Sequence, residues 1–309
     1  MMITAPGGAR CRLHPHVLLV MLVAWMLTSP PALAAATSAI SIASGAGSFS
    51  FVDEKGDPSK QMTVYTYLPG GVEPEAARIV FVMHGVGKNA RGYRDTWIEH
   101  ADKYGFMVIA PLFDREQWGR GAYSYASVIG RDGGVPDASM WSFNVIEHLF
   151  DAVKGATGNS SSRYFIYGHS EGGQFVHRLV LFVPNARYAR AVAANPGWYT
   201  WPTFAIRYPY GLDGSPAGDA SLKKSLEREF VLMLGDRDTD PNRSDLRKTP
   251  QAMAQGKHRF ERGGNFMKEA QTRATELKAE FGWKIQVVPG AAHENSRMSA
   301  PAAAVLMAR

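Results

Sequence analysis

One serine in this 309-residue chain has neighbours that could make its hydroxyl a nucleophile. Ser170 lies at the centre of a Gly-x-Ser-x-Gly pattern at 168–172, directly after the apolar run 164–167 and before a stretch with helical periodicity. A strand, a tight turn and a helix in this order hold such a serine in a strained conformation. Because the two glycines lack side chains where the chain folds back on itself, the hydroxyl can project above a sheet. The spacing therefore predicts that Ser170 attacks a carbonyl carbon.

A serine hydroxyl needs a base to accept its proton and an acid to orient that base. On a strand–turn–helix scaffold of this kind, the chain order is serine, then carboxylate, then histidine. Three alternating carboxylates follow the apolar run 230–234: Asp236, Asp238 and Asp240. His293 comes after the last apolar run of the chain. The required order holds, and it leaves three candidates for the acid.

The same three carboxylates could instead belong to a calcium-binding loop. An EF-hand loop that began at Asp236 would need glycine at its sixth position and glutamate at its twelfth. Pro241 and Arg247 stand at those positions. We therefore exclude an EF-hand, and we predict that the protein uses neither a metal nor a cofactor.

Apolar runs and helical periodicities around these residues predict an α/β protein. Two β-like stretches, which we expect to pair antiparallel, precede six buried strands; the eight are predicted at 48–52, 62–67, 79–83, 106–110, 164–167, 189–194, 230–234 and 285–288. The predicted helices lie at 93–104, after Asp137, at 170–182, at 221–229 and after an Asn265 cap, with loops at 112–137 and up to about Gly264. Buried strands that alternate with helices form a mostly parallel sheet covered on both faces. Chemistry in such sheets lies at the carboxyl ends of the strands.

In the order of these motifs, the chain resembles the α/β-hydrolase family over nearly all of its length after residue 34. Within that family it looks similar to exported poly(3-hydroxybutyrate) depolymerases and feruloyl-esterase-like hydrolases. The resemblance implies an α/β-hydrolase fold: a mostly parallel, eight-stranded sheet with helices on both faces. In this family the acid usually ends a Gly-x-x-Asp turn, which makes Asp238 the first choice, Asp236 the second and Asp240 the third. The family keeps its base on the loop after the last strand, where His293 stands.

Hydrolysis by a serine passes through an oxyanion, which backbone N–H groups stabilise. The fold supplies one donor from the residue after the nucleophile, here Glu171, and another from the loop after the third strand. That loop, at 84–87, resembles the family's oxyanion loop, with Val86 as the preferred donor and Gly85 as the alternative. The same stretch also begins a Gly-x-Gly-x-x-Ala pattern, which is typical of dinucleotide-binding proteins. Here it follows the third strand rather than the first, so we favour the oxyanion loop.

Residues 1–34 have the layout of a secretory signal peptide. Arg10 and Arg12 precede the apolar run 17–27, and an Ala-Leu-Ala motif ends at Ala34. Eleven apolar residues are too few to cross a bilayer about 30 Å thick. We therefore predict a hydrolase domain at 35–309, export to the periplasm or the exterior, and no stable membrane span after cleavage. The only cysteine, Cys11, leaves with the peptide, which suits an oxidising compartment.

The net charge is +6, but the basic residues are scattered without a run of five, so we predict no nucleic-acid partner.

The segment 196–220 is rich in aromatic residues and could serve as a cap or substrate loop; we predict substrate contacts from Trp198, Tyr199 and Trp201. The prediction is an exported serine hydrolase that cleaves a small-molecule or polymeric carboxylic ester through an acyl-enzyme. A peptidase or amidase on the same triad and a non-catalytic binding protein are the alternatives. The sequence leaves the oligomeric state open.

Overall fold

The computed structural model describes residues 1–2, 40–119 and 121–308, so the predicted signal peptide lies outside the described residues except for its first two. Between residues 40 and 308 the chain forms an eight-stranded sheet. Its strands, in chain order, are β1 (Gly45–Val52), β2 (Gln61–Leu68), β3 (Arg78–Met83), β4 (Phe106–Pro111), β5 (Tyr164–His169), β6 (Tyr188–Ala194), β7 (Phe230–Gly235) and β8 (Trp283–Val288).

The sheet is mixed, with the spatial order β1-β2-β4-β3-β5-β6-β7-β8. The pairs β1/β2 and β2/β4 are antiparallel, and the pairs from β4/β3 to β7/β8 are parallel. The predictions of eight strands and of an antiparallel pair at the start are therefore confirmed. The order also differs from the 3-2-1-4-5-6 order typical of dinucleotide-binding sheets.

Helices cover both faces of the sheet, as predicted. On one face, Val145, Phe175 and Phe266 pack against the sheet in one apolar core, while Trp97 and Met298 belong to a second core on the opposite face. The helices are α1 (Ala90–Thr96), α2 (Ile98–Tyr104), α3 (Arg115–Trp118), a 3₁₀ turn (Ala138–Met140), α4 (Asn144–Thr157), α5 (Glu171–Phe182), α6 (Asp219–Leu226), α7 (Pro250–Ala254), α8 (Arg259–Glu276) and α9 (Asn295–Met307). None of the helices within the described ranges combines the length and the apolar character that a bilayer crossing requires.

The prediction that Asn265 caps a helix is wrong. Helix α8 begins at Arg259, six residues before Asn265, and the His258 ring accepts a hydrogen bond from the Glu261 amide as its cap. The loop was predicted to run to about Gly264, but Gly263 lies inside the helix, where a Cβ would lie 2.6 Å from Leu234. Because Gly263 has no side chain, α8 can approach β7 closely at this point.

Two other stretches also contain more helix than predicted. The predicted loop at 112–137 includes α3, which Asp114 caps by accepting a hydrogen bond from the Gln117 amide. The predicted helix at 93–104 is two helices, α1 and α2, which meet at Trp97. The Trp97 indole is fully buried against Tyr167, so the chain bends there to deliver a large side chain into the core.

The strand register places the carboxyl ends of the central strands side by side. Met83 of β3 lies opposite Gly168 of β5, and His169 lies opposite Ala194 of β6. The loops that leave β3, β5, β7 and β8 therefore meet along one edge of the sheet. The predicted triad and oxyanion residues follow these strands, whereas Trp198, Tyr199 and Trp201 follow β6.

Candidate active site

The turn between β5 and α5 holds Ser170 in a strained backbone conformation, with φ +58° and ψ −115°. A Cβ on Gly168 would lie 2.2 Å from the Gly172 carbonyl oxygen, and one on Gly172 would lie 2.2 Å from that of Met83. Glycine is therefore the residue that fits both positions. Strain of this kind at a non-glycine residue is characteristic of functional sites. The Ser170 amide donates to the Ala194 carbonyl at 2.9 Å, which ties the turn to β6.

The structure brings Ser170, His293 and Asp238 within hydrogen-bonding distance of one another. His293 Nε2 lies 2.9 Å from Ser170 Oγ, and His293 Nδ1 lies 2.7 Å from Asp238 Oδ2. Asp238 is 3% exposed, so the carboxylate is shielded from water. This arrangement can move a proton from the hydroxyl to the imidazole while the carboxylate stabilises the resulting charge.

Within the described part of the chain, Asp238 is the only one of the three candidate acids that contacts His293. Asp236 instead accepts a hydrogen bond from the Gly290 amide at 2.7 Å, in an exposed turn. Asp240 accepts from the Asn242 amide at 2.8 Å and is also exposed. The Gly-x-x-Asp turn therefore directs only its last carboxylate inward.

A buried arginine holds the other oxygen of Asp238. Arg259 Nη1 lies 3.4 Å from Asp238 Oδ1, and its Nη2 lies 3.1 Å from Asp245 Oδ1. Arg259 is 3% exposed and is the first residue of α8. Sequence reasoning missed it, because this stretch was predicted as a polar loop and no motif marks the residue.

His169 packs against the candidate base rather than replacing it. Its ring centroid lies 4.7 Å from that of His293, and its Nδ1 lies 3.0 Å from the Tyr93 hydroxyl. Burial, together with the nearby charges of His293 and Arg259, lowers the pKa of His169 well below the ordinary value. A neutral imidazole therefore lies beside His293, so His169 adds no positive charge next to the candidate base.

The loop after β3 lies against the nucleophile. A Cβ on Gly85 would lie 3.6 Å from Ser170 Cβ, and no hydrogen-bond acceptor within the described residues pairs with the Val86 amide. Glu171 is the first residue of α5, so its amide is free of an intrahelical partner.

His84 supports the loop after β3: its Nδ1 lies 2.9 Å from the Gly85 carbonyl, and its Nε2 accepts from the Phe113 amide. Burial lowers the pKa of His84 to about 4, which keeps this ring neutral.

A cleft of about 620 Å³ opens in front of Ser170. Trp198 lines it, but Tyr199 and Trp201 do not. Tyr199 is fully buried and stacks on Phe266 at 4.5 Å, and Trp201 packs against the core, so neither reaches the cleft. The lining residues are Val86, Lys88, Arg115, Gly119, Gly121, Ser124, Tyr125, Ser170, Glu171, Gln174, Gly197, Trp198, Ser244, Asp245, Leu246, Arg247 and Arg259.

The cleft wall carries more positive than negative charge. Two guanidinium groups lie close to the Trp198 ring, Arg178 at 4.3 Å and Arg247 at 4.7 Å from its centre. Arg115 and Arg247 have exposed side chains and pair with no carboxylate within the described residues. Exposed cations beside an aromatic wall can bind carboxylate groups of a ligand. The described residues bring no three metal-ligating side chains together.

The mixed sheet, the serine at the strand–helix turn and the histidine after the last strand define an α/β-hydrolase fold. No protein-family model matches the chain. The chain is similar to a poly(aspartic acid) hydrolase from Sphingomonas sp. KT-1, at 44% identity and a TM-score of 0.83 over 86% of this chain and 100% of the other. A poly(3-hydroxybutyrate) depolymerase from Bordetella parapertussis is similar at 33% identity and a TM-score of 0.81, over 85% of this chain and 89% of the other.

A curated relative is feruloyl esterase B from Talaromyces funiculosus, 30% identical over 169 residues. The match covers 54% of this chain and 42% of the esterase, so the chain spans less than half of that relative's length. The predicted resemblance to depolymerases and feruloyl esterases is thereby confirmed. The chain belongs to the α/β-hydrolase family of esterase-type enzymes.

Proposed function

We propose that this enzyme is a serine hydrolase that cleaves carboxylic esters through an acyl-enzyme on Ser170. The observation that carries the proposal is the chain of two short contacts from Ser170 Oγ through the His293 ring to Asp238. We further propose that residues 1–34 direct export to the periplasm or the exterior, and that residues 35–309 form the catalytic domain.

In the first half of the reaction, Ser170 Oγ attacks the ester carbonyl carbon while His293 Nε2 accepts the hydroxyl proton. Asp238 stabilises the imidazolium and keeps the ring oriented. The amides of Val86 and Glu171 donate to the oxyanion, and donors of this kind contribute about 3 kcal/mol each. When the oxyanion collapses, the carbon–oxygen bond to the alcohol breaks, and His293 returns its proton to the departing oxygen.

In the second half, water attacks the acyl-enzyme with His293 again as the base. The bond between the acyl carbon and Ser170 Oγ breaks, and the proton passes from His293 back to the serine oxygen. The products are a carboxylic acid and the restored hydroxyl. No further co-reactant is needed.

The test is Ser170→Ala in the purified enzyme, with p-nitrophenyl acetate as the substrate. We expect kcat to fall on the order of 10⁴- to 10⁶-fold. The folded wild-type protein should also react with a fluorophosphonate probe at Ser170, and the variant should not. Turnover at the wild-type rate by the variant would contradict the proposal.

Amide hydrolysis in an acidic polymer is the second candidate function. Two observations favour it: the exposed Arg115 and Arg247 at the cleft, which pair with no carboxylate among the described residues, and the similarity to a poly(aspartic acid) hydrolase. A panel of p-nitrophenyl esters, polyhydroxybutyrate, feruloyl esters and poly(aspartic acid) separates the two candidates. Turnover of poly(aspartic acid) that is lost in Ser170→Ala and weakened by salt would favour the amidase, because salt screens exposed charges.

A further inference from the structure

An ion pair joins the two segments that are proposed to supply the oxyanion donors. Lys88 Nζ lies 2.9 Å from Glu171 Oε2. Lys88 comes two residues after Val86, and Glu171 directly follows Ser170. The two side chains are 16% and 17% exposed, so solvent screens the pair only weakly.

Both partners of this ion pair are anchored a second time. The other oxygen of Glu171 accepts a hydrogen bond from Ser124 Oγ at 2.6 Å. Lys88 Nζ lies 4.2 Å from the centre of the Tyr123 ring, and the Tyr123 hydroxyl donates to the His84 carbonyl at 2.8 Å. These contacts fix the pair between the oxyanion loop and the helix that follows the nucleophile.

The backbone of the loop is shaped around Lys88. Its φ is +54°, in the left-handed region that favours glycine. The Lys88 amide donates to the Gly85 carbonyl at 3.1 Å, which closes the turn containing Val86. A lysine at this unfavourable position is consistent with a role for its side chain rather than for its backbone.

A carboxylate beside the nucleophile poses an electrostatic problem for the proposed reaction. The Glu171 amide is to stabilise an oxyanion, yet an unpaired negative charge on the same residue would repel that oxyanion. Two like charges a few ångströms apart in a partly buried site repel with an energy large enough to change a rate by orders of magnitude. A cation held against Glu171 removes this repulsion.

We propose that Lys88 is a positioning residue that neutralises Glu171 and ties the Val86 turn to the nucleophile turn. The inference rests on the proposed function, since it concerns the oxyanion of that reaction. Lys88 acts through Glu171 and does not itself touch the substrate's reacting atoms. Its effect should therefore appear in kcat and should depend on the charge of residue 171.

A double-mutant cycle tests the proposal with Lys88→Met, Glu171→Gln and the double variant, assayed with p-nitrophenyl acetate. Glutamine at 171 removes the charge but can still accept from Ser124. We expect Lys88→Met to lower kcat on the order of 10- to 100-fold in the wild-type background. In the Glu171→Gln background the same change should cost less than about three-fold. An equal loss in both backgrounds, or no loss in either, overturns the proposal.

A matched control separates this effect from the loss of any ion pair. Lys55 pairs with Asp151 at 3.4 Å on the surface and does not line the cleft, so Lys55→Met should leave kcat unchanged. If Lys88→Met does not fold, Lys88→Gln replaces it, because glutamine can donate to Glu171 without a charge. Lys88→Arg keeps the charge and should retain most of the activity.

Failure of the inference can be told from failure of the proposed function. If Ser170 is not the nucleophile, Ser170→Ala keeps its turnover and the fluorophosphonate does not label the wild-type protein. If only the inference is wrong, Ser170→Ala is inactive while the cycle shows no coupling between residues 88 and 171.

Discussion

At the scale of single residues, both carboxylate oxygens of Asp238 are held by buried side chains. One of its oxygens faces His293 and the other faces Arg259, and all three side chains are nearly inaccessible to water. A buried carboxylate is stable only when charges or donors compensate it. The arginine and the imidazole meet this need together, and they fix the direction in which Asp238 points.

Replacing the charge of Asp238 should remove most of the activity without changing the shape of the site. We expect Asp238→Asn to lower kcat on the order of 10³- to 10⁴-fold, since the amide can no longer stabilise the imidazolium. KM should change little. The measurement is steady-state kinetics on p-nitrophenyl acetate.

Asp236→Asn is the matched control for this prediction. Asp236 lies two residues earlier in the same turn, but its contact is with the exposed Gly290 amide. Its variant should keep wild-type kcat. A large loss in Asp236→Asn together with full activity in Asp238→Asn would reverse our assignment of the acid.

At the scale of secondary-structure elements, the nucleophile turn depends on close approach between β5, α5 and the end of β3. Gly172 is the critical contact, because its Cα faces the Met83 carbonyl with no room for a methyl group. By contrast, Gly264 in α8 has open space around its Cα. Packing therefore requires glycine at position 172 but not at position 264.

Substitution by alanine should therefore change the stability in opposite directions at Gly172 and at Gly264. Gly172→Ala should lower the free energy of unfolding by about 2–4 kcal/mol, since the backbone must move to admit the methyl group. Gly264→Ala should raise it by about 0.5–1 kcal/mol, since alanine loses less backbone entropy in a helix. Urea denaturation followed by circular dichroism measures both. A stable Gly172→Ala variant with normal activity would refute the packing argument.

At the scale of the whole molecule, three buried histidines make the stability depend on pH. Burial lowers the pKa of His84 to about 4, and it lowers the pKa of His169 and His177 well below the ordinary 6.5. The unfolded chain binds protons at these rings near pH 6.5, whereas the folded protein does not. Between about pH 6.5 and 4, the unfolded state therefore holds more protons, and stability falls as the pH falls.

The free energy of unfolding should accordingly be lower at pH 5 than at pH 7. His84 alone should account for about 2 kcal/mol of the difference, from its change in pKa. Urea denaturation at the two pH values measures it. The His84→Gln variant should have a lower free energy of unfolding than the wild type at pH 7. Its free energy of unfolding should fall less between pH 7 and pH 5 than that of the wild type. Equal stability of the wild-type protein at both pH values would contradict the prediction.

The sequence by itself determined the strands, the turn at Ser170 and the chain order of the candidate residues. These features are local: buried parallel strands are continuous apolar runs, and a tight turn requires glycine where atoms nearly touch. The start of α8 was not predictable in this way. The first glycine of its pair, Gly263, is explained by contact with Leu234, which is distant in the chain.

Only the tertiary structure decided which side chains meet. His293 reaches Ser170 across 123 residues and Asp238 across 55. The family resemblance made Asp238 the first choice, but only the fold shows that Asp238, and not Asp236, contacts His293. Arg259, Lys88 and the partners of Glu171 are likewise set by how the loops pack at one edge of the sheet. The physical reason is that a charge–charge or hydrogen-bond contact depends on distance in space. That distance follows from the strand order and register, which no single segment of the chain encodes.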